Sequence, residues 1–212
     1  MTSNRSPALV LDVMRGEWES RAARDPIAAS SAACAGCDAT AFFASGTATF
    51  EAHVRDAMTQ ALEGHVRADA EVLDLGCGAG RLVPALLTAG VSVRGVDIAP
   101  SMVAAARRLL AGEPRFAAHV GDGMTLQVVR RHRFRFALAV DLFAWLPDDL
   151  LRNYLFRQVA GRLLPGGSLR FDVPADWNDA RCAELLAFTG LTQVEPSTTT
   201  DRTRWTTVVR TT

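Results

Sequence analysis

From residue 71 onward, short apolar runs alternate with longer stretches of helical period. EVLDL (71–75) has the length and apolar content of a buried strand, and RLVPALLTAG (81–90) follows as a helix closed by glycine. VSVRGVDI (91–98) is a second strand, and SMVAAARRLL (101–110) a second helix with Ser101 or Pro100 at its start. RFAAHVGD (115–122) and FRFALAVDLF (134–143) read as strands three and four. DDLLRNYLFRQVAGRLL (148–164) is a helix with an acidic first turn and a Pro-Gly-Gly stop. SLRFDV (168–173) is strand five, and DARCAELLAFTG (179–190) a helix ending on glycine. The closing stretch, 191–211, reads as two strands around a polar turn. Alternating strands and helices predict a doubly wound α/β sheet of about seven strands, mostly parallel, with an antiparallel last strand. Residues 1 to about 65 differ in kind: mostly helical, they predict a cap that belongs to the same domain as the core, 66–212.

The first strand runs into LDLGCGAG (73–80), three glycines at alternate positions behind an aspartate. Ligands of open parallel sheets sit at the carboxyl ends of the strands, where bare backbone brings N–H groups against them. A glycine-rich turn alone is a weak signal. The dinucleotide fingerprint G-x-G-x-x-G, started at Gly76, needs its third glycine at position 81, which is Arg81. Asp74 also opposes a pyrophosphate, whereas a ligand bearing an ammonium group suits it.

VLDLGCGAGRL followed by GVDIAPSMVAAAR resembles the first motifs of class I S-adenosylmethionine-dependent methyltransferases. Gly121-Asp122 after strand three and LLPGG (163–167) stand where that family places later motifs, so the likeness spans roughly residues 70–175. The resemblance implies a Rossmann-like fold, S-adenosylmethionine as cofactor, S-adenosylhomocysteine as product and no metal. It places Asp74, Gly76, Cys77, Gly78 and Gly80 around the methionine end, with Asp74 reaching the amino group directly or through a water. Cys77 is the variable position between glycines. Asp97 accepts hydrogen bonds from the ribose hydroxyls, and Ile98 and Met102 flank the adenine. Asp122, with the backbone of Gly123 and Met124, meets the exocyclic amine; a cap on the following turn is the other use of Asp122.

The sequence departs from the family pattern after strand four. Many small-molecule members begin that strand with Phe-Asp and place a histidine before a Leu-Pro pair; here Phe134-Arg135 and Trp145-Leu146-Pro147 stand there. That departure puts general-base catalysis by that histidine in doubt and argues for an acceptor already nucleophilic or a base elsewhere. Asp141 is the remaining candidate: it contacts the cofactor amino group, holds a substrate amine, deprotonates a hydroxyl, or caps a turn. Phe143 and Trp145 are either pocket walls or core aromatics. RGEWESRAARDP (15–26) and FFASG (42–46) resemble the cap of some bacterial members, so Trp18, Phe42 and Phe43 are expected on the substrate pocket. Arg21 is expected to pair with the cofactor carboxylate or to form a surface ion pair.

Acidic and basic residues number 23 each, so no net field favours a nucleic acid or a membrane surface. Every basic residue is Arg, and without Lys no lysine Schiff base can form. No apolar run reaches the ~20 residues of a membrane span, and cytoplasmic location is expected. Cys34-Ala-Gly-Cys37 lacks the second pair that zinc requires and the helix start of a redox unit. His53 and His65 are expected on one helix face, His119 within a strand, and His132 exposed in the basic loop 130–135. The expected function is methyl transfer to O, N or C of a small molecule, with oligomeric state and acceptor open. Cofactor binding without transfer, and methylation of RNA or protein, are the alternatives; the place after strand four reads Asp141-Leu142-Phe143-Ala144 and lacks the Pro-Pro motif of nucleic-acid amino methyltransferases.

Overall fold

The computed structural model describes residues 7–31, 34–146, 149–194, 197–200 and 203–211. Pro147 and Asp148, expected within the Leu-Pro pair and at a helix start, lie outside the described residues. The helices are α1 (Pro7–Arg24), α2 (Pro26–Ser30), α3 (Ala39–His53), α4 (Arg55–Ala61), α5 (Val83–Thr88), α6 (Pro100–Leu109), α7 (Asp149–Ala160) and α8 (Asp179–Leu186). The strands are β1 (Glu71–Leu75), β2 (Ser92–Asp97), β3 (Phe116–Val120), β4 (Phe134–Ala139), β5 (Leu163–Pro174), β6 (Leu191–Gln193), β7 (Thr198–Thr199) and β8 (Thr203–Arg210).

These strands form one sheet in the order β3-β2-β1-β4-β5-β8-β6, with β7 paired to β8. The first five run parallel and β8 runs antiparallel beside β5, pairing Leu169 with Val208 and Asp172 with Trp205. Strand alternation sends neighbouring residues to opposite faces. Leu73, Ala137, Leu169 and Phe171 pack with residues of α7 and α8, while Val72, Val93, Phe136 and Leu138 meet Phe50, Val54 and Met58 of α3 and α4. The segment 39–61 therefore covers one face of the sheet, and α1 and α2 lie against α6.

Several boundaries differ from the periodicity. Strand β4 stops at Ala139 because Asp141 takes a left-handed φ of 58° that no strand continues. Strand β5 begins at Leu163 and runs through Pro165-Gly166-Gly167, which the pattern assigns to a helix stop. Gly167 is needed there: a Cβ would come within 2.9–3.1 Å of three carbonyl oxygens. No helix among the described residues is long and apolar enough to cross a membrane.

Candidate functional site

The carboxyl ends of β1, β2 and β4 open into a cavity of about 620 Å³, walled on its outer side by α1 and α2. Leu75 hands the chain to the glycine loop, where Gly76, Gly78 and Gly80 all hold positive φ of 75°, 52° and 88°. A side chain at Gly78 would sit 2.7 Å from Ser30 Oγ, and one at Gly80 2.7 Å from Leu110. These glycines thus permit the turn and the close approach of neighbours. The loop amides, expected to face a ligand, are turned inward instead. Gly76 and Cys77 donate to the Val96 carbonyl, Gly78 donates to Asp97 Oδ2 at 2.9 Å, and Ala79 donates to Ser30 Oγ at 2.8 Å. Buried amides must find partners, and here the protein supplies them.

Asp97 ends β2 and ties the loop to it. Its second oxygen accepts the Ala99 amide at 2.9 Å, and each oxygen keeps lone-pair capacity toward the cavity it lines. Burial raises its carboxyl above the usual range, against the lowering effect of the amide bonds. Ile98, Met102 and Gly123 line the same wall. A Cβ on Gly123 would meet Ile98 at 2.7 Å and Leu11 at 3.0 Å, so these two side chains close on the loop only because position 123 is bare.

Asp74 is 2% exposed, its Oδ2 has no hydrogen-bond partner among the described residues, and it does not itself line the cavity that Leu75 and Gly76 reach. Burial pushes its carboxyl up to about 7, with Arg81 opposing and Asp97 adding to the rise. A carboxyl held that high costs stability as the unfolded chain ionises and the buried group resists, from about pH 4 up to about 7. Asp74→Asn is free of that cost. Its melting point, relative to the native chain without cofactor, should therefore climb between pH 5 and pH 7 and level off above. A gap independent of pH would show that Asp74 is not held neutral.

Other expected residues fall elsewhere. Asp122 is exposed and caps its own turn, accepting from the Met124 and Thr125 amides and the Thr125 hydroxyl. Burial alone would raise its carboxyl, but these bonds hold it below the usual range. Neither Asp122 nor Met124 lines the cavity, and Gly80 is buried behind it. Phe42 and Phe43 of α3, expected on the pocket, pack instead in apolar clusters, with Phe42 fully buried. Phe143 stacks on Phe156 and meets Phe171 edge to face inside the core. Trp18 and Trp145 do line the cavity, meeting edge to face at 5.4 Å with Arg21 over both rings. Arg21 also pairs with Glu17.

Asp141, at the end of β4, is half exposed to the cavity. Its Oδ2 accepts Arg81 at 3.0 Å, and its amide donates to Asp172 Oδ1 at 2.7 Å. Arg81, Asp172 and Ser30 escape the sequence reading. A charge inside the apolar strand SLRFDV and an arginine in place of a third glycine are the signals that could have found two of them; Ser30 carries none. His53 stacks on Trp205, away from the cavity, and His65 follows α4 in a turn. His119 lies partly buried within β3. His132, expected exposed, is partly buried against Glu71 at 2.7 Å, a carboxylate that also holds Arg94. Cys34 is buried and donates to Ser45 Oγ, and the four cysteines are free. No group of three or more His, Cys, Asp or Glu among the described residues is arranged to hold a metal.

The residues fit a cationic adenosine ligand. A cavity-lining carboxylate with spare lone pairs suits its ribose, and the apolar Ile98 and Met102 on the same wall suit its base.

Residues 72–167 match the family described as a methyltransferase domain. A ubiquinone biosynthesis O-methyltransferase of Bradyrhizobium diazoefficiens is 32% identical over 120 residues, covering 54% of this chain and 46% of that protein. One from Xanthomonas campestris pv. campestris is 32% identical over 101 residues, covering 47% and 41%. The chain thus spans just under half the length of these curated relatives. Magnesium protoporphyrin IX methyltransferase from Synechocystis PCC 6803 with bound SAM superposes with a TM-score of 0.68 at 19% identity, covering 99% of this chain and all of that one. A TehB-like SAM-dependent methyltransferase from Corynebacterium glutamicum gives 0.60 at 22% identity, covering 78% and 87%. The mostly parallel sheet with antiparallel end strands is the fold these two structures share.

Proposed function

We propose that the chain, whose residues 72–167 match a methyltransferase domain, transfers the methyl group of S-adenosylmethionine to a small molecule. The single observation that carries this reading is the carboxylate pair at adjacent strand ends, Asp74 unpartnered in the interior and Asp97 on the cavity. Asp97 would hold the ribose hydroxyls and Ile98, Met102 and Gly123 the adenine, while Asp74, buried behind the cavity wall, would act on the ammonium end from a distance rather than by contact. When bound, the cofactor supplies a methyl carbon made electrophilic by its sulfonium. The protein's part is alignment and exclusion of water. Trp18, Trp145 and Leu142 would offer the acceptor a flat apolar wall, and Asp141, which lines the same cavity, would take its proton. The names of the relatives favour oxygen as the accepting atom.

Calorimetric titration with S-adenosylmethionine, S-adenosylhomocysteine and NAD tests the cofactor. Binding of the first two in the micromolar range, and none of NAD, is expected; failure of both would sink the reading. Methyl-labelled cofactor offered with a panel of phenols, amines and carboxylic acids then tests transfer. Trp145, standing where the family's histidine is absent, favours one second reading, cofactor binding without transfer. Tight binding with no label incorporated into any acceptor is its signature.

A further inference from the structure

Three carboxylates converge at the ends of the contiguous strands β1, β4 and β5: Asp74, Asp141 and Asp172. Asp172 is only 4% exposed, and it accepts the amide that Asp141 presents from a left-handed backbone. A non-glycine residue holds that conformation only where its surroundings fix it. Arg81, 7% exposed, stands against the group, with one nitrogen on Asp141 and the other on the neutral Thr49 of α3. Asp97 faces Asp74 from β2, and Glu19 faces Asp97 from α1. One guanidinium is set against three carboxyl groups, Asp74 and Asp172 buried and Asp141 half exposed, and Asp74 Oδ2 has no partner among the described residues. Such an arrangement is short of positive charge.

We propose that Asp141 and Asp172, gathered around Arg81, make the protein favour the sulfonium cofactor over its neutral thioether product. The inference rests on the cofactor assignment above. The cofactor carries one positive charge more than the product at the sulfur. An uncompensated acidic group beside the cavity that Arg81 and Asp141 line therefore separates the two by charge, with no contact to the transferred methyl needed. Such a preference lets product leave once its charge is gone. Burial and the neighbouring Asp141 push the Asp172 carboxyl up to about 7, so Asp172, like Asp74, gains its charge near neutrality. The preference should accordingly strengthen as pH rises.

Calorimetry at pH 6 and pH 8 with S-adenosylmethionine and S-adenosylhomocysteine tests this on the native chain and two variants. The ratio of the two affinities should move toward the sulfonium form by roughly three- to tenfold across that range. Asp172→Asn keeps an oxygen for the Asp141 amide but loses the charge, and should cut that movement by at least about half. Ionisation of the ligands themselves cancels in this comparison. Asp141→Asn should lower the ratio at both pH values, and it serves alone if Asp172→Asn does not fold. Variant ratios within about twofold of native at both pH values overturn the inference while leaving the cofactor assignment intact. Loss of both ligands from the native chain would instead remove the cofactor assignment.

Discussion

Asp97→Ala should weaken S-adenosylmethionine binding by about a hundredfold or more. Two hydrogen bonds from ribose hydroxyls to a carboxylate are worth about 1.5–3 kcal/mol each, and about 2.7 kcal/mol is already a hundredfold. The variant also loses the contact that fastens the glycine loop, to the Gly78 amide, and the one to the Ala99 amide ahead of α6. Part of the lost affinity will therefore come from a loosened loop, and the melting point without ligand should fall as well, by about 1–3 kcal/mol of stability. Asp97→Asn separates the contributions, since its single carbonyl oxygen can satisfy only part of the set. It should fall between native and alanine in affinity. Native-like affinity in Asp97→Ala would remove Asp97 from the site.

Gly46→Ala should be the most damaging small substitution in the chain. Gly46 lies buried in α3, and a Cβ there would stand 1.9 Å from the Arg81 carbonyl oxygen and 2.6 Å from its carbon. Both atoms are backbone, so no rotamer change relieves the overlap, and α3 must move away from the loop. A cost of about 3 kcal/mol corresponds to a fall of roughly 6–12 °C for a chain of this size. Displacing Arg81 also disturbs its bonds to Thr49 and Asp141, so cofactor affinity should drop even where the protein remains folded. Gly16→Ala is the control: it is also helical, nothing lies within 4 Å of its Cβ, and its melting point should hold or rise. A Gly46→Ala variant that melts within a degree or two of native would show that α3 and the loop are not held at that spacing.

The two variants mark the two kinds of information in the chain. Asp97 was legible because it ends an apolar strand at a fixed distance beyond the glycine loop, and successive parallel strands bring such ends together. Gly46 and Arg81 approach each other across 35 residues, and nothing in the local pattern of either announces the contact. Local pattern also failed at Phe42 and Phe43 and left Phe143 undecided between cavity and core. An aromatic residue near a binding loop has the same period and hydrophobicity whether it faces a cavity or a core. Asp122 shows the same ambiguity in a polar residue, because an aspartate before a turn can serve its own backbone as well as a ligand.

The sequence by itself determined the alternation of strands and helices, the turn at Gly76–Gly80 and the placement of Asp74 and Asp97 at neighbouring strand ends. Each of these follows from short-range periodicity and from the handedness of parallel connections. Only the tertiary structure decided that the loop amides are satisfied from within, by Asp97 and by Ser30, and that Arg81 joins Asp141 beside Asp172. Those partners lie 19 to 60 residues apart along the chain, and side-chain packing at the sheet's carboxyl edge chooses them. The charge of the site, unlike its outline, is a property of that packing.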